Sequence, residues 1–167
     1  MTRNALVVGL TVALLGINAS TAQAQKAGYG CSVLQGAEVQ ALAGSTTFGA
    51  GTPSTDPLGS RLCHYEWGAG NNVQSGRSYL DVSITPLSKA YPGTDPALLR
   101  QGLLGKPKTE VIPGVGDAAT YESNAPIRVE TTALVKGNLL TVTFDSSDAR
   151  AKKAQVIALL KAAAGRL

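Results

Sequence analysis

The sequence predicts an α+β fold: an antiparallel sheet packed with a long C-terminal helix and one or two shorter helices. Three observations carry this. Residues 61–67, 78–85, 127–135 and 139–144 read as strands, the first two alternating with the period of two of a strand with one face on a core. Residues 148–166 instead repeat apolar side chains (Val156, Leu159, Leu160, Ala163, then Leu167) at helical spacing. The strands also come in adjacent runs, with helices before, between and after them, which argues hairpins over a parallel crossover sheet.

The chain opens with one basic residue, Arg3, an apolar run from Ala5 to Ile17, and the small-residue motif Ala22-Gln23-Ala24. That is the order of a secretory signal peptide cut after Ala24. The run is too short to cross a bilayer comfortably, and no second apolar stretch follows. Residues 1–24 are thus expected to be removed. Residues 25–167 are expected to form one α+β domain in the periplasm or outside the cell, with no stable membrane span.

A helix is expected over 32–43, with Val33, Leu34, Ala37, Ala41 and Leu42 as its apolar stripe and Gly44 as its stop. Residues 45–60 are rich in Gly, Ser, Thr and Pro and read as a loop. In 61–67, Cys63, Tyr65 and Trp67 point one way, Leu62, His64 and Glu66 the other. Residues 68–76 are a turn, and 78–85 return with Leu80, Val82 and Ile84 on one face, giving an antiparallel pair. Asp95 caps and Pro96 starts a short helix carrying Leu98, Leu99, Leu103 and Leu104, ended by Gly105. Short strands over 108–112 and 118–121 flank the bend Pro113-Gly114-Val115-Gly116-Asp117. Lys136-Gly137-Asn138 joins the last two strands tightly.

Fifteen Lys and Arg stand against eleven Asp and Glu, and loss of Arg3 leaves a net charge near +3. A nucleic-acid binder shows a denser basic stripe, so that partner is excluded. Only eight residues are aromatic, which disfavours a large aromatic-lined cavity. The two cysteines, Cys31 and Cys63, read as a disulfide in an exported chain. Lipid attachment at Cys31 is the alternative, but Gly28-Tyr29-Gly30 lacks the Leu-headed box it requires. The disulfide would close a loop of about 33 residues, contributing roughly 3–4 kcal/mol on chain-entropy grounds.

Several short motifs run together through the domain: Cys31-Ser32-Val33-Leu34 opening a helix, Cys63-His64-Tyr65 on a strand, Gly114 to Ala119 as Gly-x-Gly-Asp-Ala-Ala, and a strand ending at Lys136-Gly137. On these the chain resembles small secreted and lipoprotein domains of unknown function common in actinobacteria. That resemblance implies an architecture similar to PsbP-like α/β sandwiches and a non-enzymatic extracytoplasmic role. It carries no catalytic residues, and the missing lipid box departs from many of its members.

No catalytic, metal or cofactor site is expected. His64 is the only histidine, and its side chain diverges from that of Cys63 on a strand. Zinc sites draw on several such ligands. Gly114-Val115-Gly116-Asp117 lacks the third Gly and following helix of a dinucleotide loop, so a bend with Asp117 bonding its own backbone is expected. Glu66, Asp81, Glu110, Asp117, Glu122 and Glu130 read as solvated strand-face carboxylates, with no spacing that fixes a hydrolase pair. Arg150, Lys153 and Lys161 read as the solvated face of the last helix. Ser75-Gly76-Arg77-Ser78-Tyr79 resembles the Ser-Gly-x-x-Tyr loop of periplasmic lysozyme inhibitors, making Ser75, Gly76, Arg77 and Tyr79 a candidate interaction loop.

Three functions therefore compete. The first is an exported non-enzymatic binding or interaction module whose partner is an envelope protein or small ligand. The second is a periplasmic enzyme inhibitor acting through that loop, and the third a small secreted hydrolase. An apolar groove between sheet and helix favours the first, a protruding 75–79 tip the second, and a cleft of carboxylates around His64 the third.

Overall fold

A computed structural model describes residues 30–167, so the expected signal peptide and its cleavage site lie outside the described residues. Seven antiparallel strands form one sheet in the order β1-β2-β3-β7-β6-β5-β4. They are β1 (Thr52–Thr55), β2 (Arg61–Trp67), β3 (Ser78–Pro86), β4 (Thr109–Val111), β5 (Ala118–Ala125), β6 (Arg128–Val135) and β7 (Asn138–Asp145). The helices are α1 (Gly36–Ala43), α2 (Leu87–Ala90), α3 (Pro96–Leu104) and α4 (Lys153–Arg166). The chain is α+β, with α1 and α4 on one face of the sheet.

Strand register lines up the core. Tyr65, Leu80, Phe144 and Val129 form one cross-strand row, and Cys63, Val82, Val142, Thr131 and Tyr121 the next. Their side chains share a face because each strand alternates. Val156, Leu159, Leu160 and Ala163 of α4 lie buried with them in one cluster. The Trp67 and Phe144 rings stack at 5.8 Å. Thr131 is the polar member of this face; its hydroxyl donates to the Val142 carbonyl at 3.3 Å, so no donor is orphaned.

The disulfide Cys31–Cys63 is formed, with Cα atoms 4.8 Å apart. It ties the 3-10 turn Gly30–Val33 to β2. Gly51 crosses directly above it, where a Cβ would collide with the Cys63 sulfur and the Tyr65 ring. Beside the same turn, Arg166 holds α4 to α1. It donates to both Glu38 carboxylate oxygens and to the Val33 carbonyl, each at 2.7 Å. Glu38 also accepts from the Gln35 amide at 2.7 Å, capping α1.

The Arg166 bond, with the Gln35 amide, holds the Glu38 carboxyl below its ordinary value of 4.5, against the opposing pull of burial. A depressed carboxyl stabilises the fold when ionised. Its contribution is therefore present above pH 4.5 and lost as pH falls through the lower folded value. Glu38→Gln is expected to cost about 1 kcal/mol at neutral pH. Urea melts of the two proteins should converge once the pH is low enough to protonate Glu38. A gap that persists at low pH would show that the charge is not what matters.

Several elements differ from the sequence reading. The 32–43 helix is two pieces, Gly30–Val33 as a 3-10 turn and α1; Val33, Leu34 and Leu42 of the expected stripe are buried, and Val39 is buried with them. Ala37 and Ala41 face solvent, because the break after Leu34 re-phases the stripe. The 45–60 segment is not all loop, since Thr52–Thr55 pairs along β2 despite Pro53. Proline is tolerated there because β1 is an edge strand. Helix α2 follows β3 at once, and its Leu87 amide donates to Gly137. The hairpin turn is only Lys136-Gly137, both at positive φ, with Asn138 already paired to Val135. Asp117 pairs through its backbone amide with the Leu134 carbonyl at 2.8 Å. Gly116 is needed beside it, because a Cβ there would strike that carbonyl. The final helix opens with a 3-10 turn, Ala149–Lys152. Of Arg150, Lys153 and Lys161, read from the sequence as its solvated face, two are engaged. Lys153 bonds Glu110 at 2.5 Å and sits 4.7 Å from the Tyr121 ring centroid, and Arg150 donates to Ser123 at 3.0 Å.

Candidate functional site: a graded groove on the second sheet face

The face of the sheet away from α4 carries the other half of each alternation. Register arranges it in rows that change character along the strands. Leu139, Leu134 and Ala118 form an apolar row. Two residues on, Ser83, Thr141, Thr132 and Thr120 form a hydroxyl row. Beyond it His64, Asp81, Thr143, Glu130 and Glu122 form an ionisable row. Last come Glu66, Tyr79, Asp145 and Arg128.

Helices α2 and α3 roof only the apolar end. The connection explains why: α2 starts directly at the end of β3, and its bond to Gly137 holds it against the β6–β7 turn. Asp95 then caps α3, its carboxylate accepting from the Ala97 amide at 2.8 Å. Every residue of α3 is exposed or half-buried. Leu98 is 60% exposed and Tyr91 43%, far more than a packed helix stripe leaves open.

Between α3 and the sheet lies a groove of about 360 Å3. Leu98, Leu99 and Leu103 line its helix side, Leu134 and Leu139 its floor. Lys106, Glu130, Thr132 and Thr141 close its polar end. A second space of about 550 Å3 lies along the other flank of α3, beside Pro96, Gln101 and Leu104. Helix α3 thus bridges open space on both sides.

The charges at the polar end are ordered. Lys106 forms an ion pair with Glu122, whose side chain is only 8% exposed. That bond, reinforced by the charge of Glu130, holds the Lys106 ammonium above its usual range against burial. Arg128 grips Asp145 with two bonds of 2.6 and 2.7 Å. Asp145, then Glu130 and Asp81, keep its guanidinium above its usual range. Glu130 accepts from the Thr132 hydroxyl at 3.4 Å. The burial of Glu122 corrects its reading as a solvated carboxylate, and Asp145, buried likewise, was not among the carboxylates singled out.

His64 lies on the open part of this face. Its Nδ1 is 2.7 Å from Asp81, with the two side chains 43% and 46% exposed, and its ring stacks on Tyr79 at 5.7 Å. Its side chain diverges from Cys63 as expected. Among the described residues no group of three or more His, Cys, Asp or Glu could hold a metal ion. No helix among them is long and apolar enough to cross a membrane.

The 75–79 segment folds onto itself. The Ser75 hydroxyl accepts from the Asn71 and Asn72 amides at 2.9 and 3.0 Å and donates to the Asn72 carbonyl. Arg77 donates to the Gly70 carbonyl at 2.5 Å and pairs with Glu66 at 3.1 Å. Gly76 takes the left-handed conformation that ends the short 3-10 turn Val73–Ser75. Tyr79 already belongs to β3 and stacks on His64.

The fold and site define a single-sheet α+β domain with a small amphipathic groove beneath a loosely packed helix. No protein-family model, curated protein or solved structure matches the chain.

Proposed function

We propose that this chain is an exported, non-enzymatic binding module of the cell envelope that takes a small amphipathic ligand between α3 and the sheet. One observation carries the reading: the groove is apolar beneath the helix and polar where the helix ends. Its volume of about 360 Å3 falls within the range of small-molecule sites. Export is supported by the leader-like order of residues 1–24 and by the Cys31–Cys63 disulfide. The absence of catalysis is supported by the setting of His64, which pairs with Asp81 on an open, half-exposed strand face rather than in a closed cleft. The inhibitor alternative needs an outward-facing tip. The hydroxyl of Ser75 and the guanidinium of Arg77 are spent on their own loop.

The test is a titration of the 25–167 protein with octanol, followed by amide NMR. Shifts are expected at Leu99, Leu103, Leu134 and Leu139, and Leu103→Trp, which fills the groove, should abolish them. Shifts scattered away from the groove would refute the ligand site. Tight lysozyme inhibition lost on Ser75→Ala with Tyr79→Ala would replace the reading with the inhibitor.

A further inference from the structure

We infer that the groove selects amphiphiles with a positively charged head, such as a primary alkylammonium, and that Glu130 meets that charge. The inference rests on the ligand-binding reading above and adds the chemistry of the head group.

The argument is one of charge complementarity at the polar end. The groove offers two charged side chains to a ligand, Lys106 and Glu130. They are not equally available. Lys106 is committed to Glu122, a carboxylate buried at 8% side-chain exposure. Drawing Lys106 away would leave that carboxylate buried without its partner, which is strongly unfavourable. An anionic head would therefore have to compete with an internal ion pair. The other nearby cation, Arg128, is likewise held by both oxygens of Asp145. Glu130 stands between these pairs and accepts only a long 3.4 Å bond from Thr132. Among the described residues of this patch, the carboxylates Glu122, Glu130 and Asp145 outnumber the cations Lys106 and Arg128. Asp81, in the same row as Glu130, adds to the excess.

The helix reinforces the sign. Gly102 and Leu103, in the last turn of α3, line the groove, and Lys106 follows the Gly105 cap. The C-terminal end of a helix carries partial negative charge and favours cations. A head group entering beside Thr132 and Thr141 thus meets a carboxylate, hydroxyl acceptors and the negative end of α3. An apolar tail extends the other way, between Leu99 and Leu103 above and Leu134 and Leu139 below. Burying that tail supplies affinity, and the charge-assisted bond to Glu130 supplies selection.

The experiment compares octylamine, octanol and octanoate, which share a tail and differ in charge, by calorimetry at pH 7. Octylamine is expected to bind roughly tenfold more tightly than octanol, and octanoate more weakly than either. Glu130→Gln keeps the side-chain shape and should bring octylamine to the level of octanol. In the unmodified protein, raised salt should weaken octylamine and leave octanol unchanged, because salt screens only the charged contact. Equal binding of the three, a preference for octanoate, or octylamine binding that ignores salt would overturn the cation inference while leaving the groove as a ligand site. Failure of all three to bind would overturn both.

Discussion

Replacing Leu160 by alanine is expected to destabilise the domain by about 2–5 kcal/mol. Leu160 is 0% exposed and belongs to the cluster that holds Val142 and Phe144 of β7 with Val156 and Leu159 of α4. Truncation removes buried apolar area and leaves a cavity that a helix docked on a seven-stranded sheet cannot readily collapse. Urea unfolding should show a lower midpoint with an unchanged slope, the signature of lost stability rather than altered compactness. A change below about 0.5 kcal/mol would mean that α4 is not docked through this residue.

Removing the disulfide should have a comparable effect. With Cys31 and Cys63 32 residues apart, the chain-entropy model assigns the crosslink roughly 3–4 kcal/mol. The double variant Cys31→Ala, Cys63→Ala should lose about that much, plus a cavity contribution, since both sulfurs sit in the core. Thiol titration of the denatured, unreduced parent should find no free thiol. Two free thiols, or a variant as stable as the parent, would contradict the tie between the first turn and β2.

Much of the core was legible in the sequence because a strand must alternate. Cys63, Tyr65 and Trp67, and Leu80, Val82 and Ile84, are the buried residues of β2 and β3. The stripe Val156, Leu159, Leu160 and Ala163 is the buried side of α4. Asp95 and Pro96 announced α3 through chemistry that acts over three residues, and the cap forms as expected.

What escaped the sequence depends on neighbours far away in the chain. Thr52–Thr55 carries no apolar alternation, being exposed throughout, and is a strand only because β2 offers it an edge. Val39 was missed because the helix breaks between Val33 and Gly36, shifting the angle of every later side chain. Glu122 looked like any strand carboxylate. Its burial follows from Lys106, which α3 delivers above it.

The sequence by itself determined the α+β class, the pairing of β2 with β3, the docking stripe of α4 and the two cysteines able to join. Each rests on local periodicity or on a residue's own chemistry, which does not depend on what lies opposite. Only the tertiary structure decided that the second sheet face is graded from leucine through threonine to carboxylate. Only it decided that α3 bridges this gradient loosely enough to leave a groove. The rows draw on β2, β3, β5, β6 and β7, whose order in the sheet is not their order in the chain. A gradient across strands exists only once the register is set, and register is a relation between segments that no single segment contains.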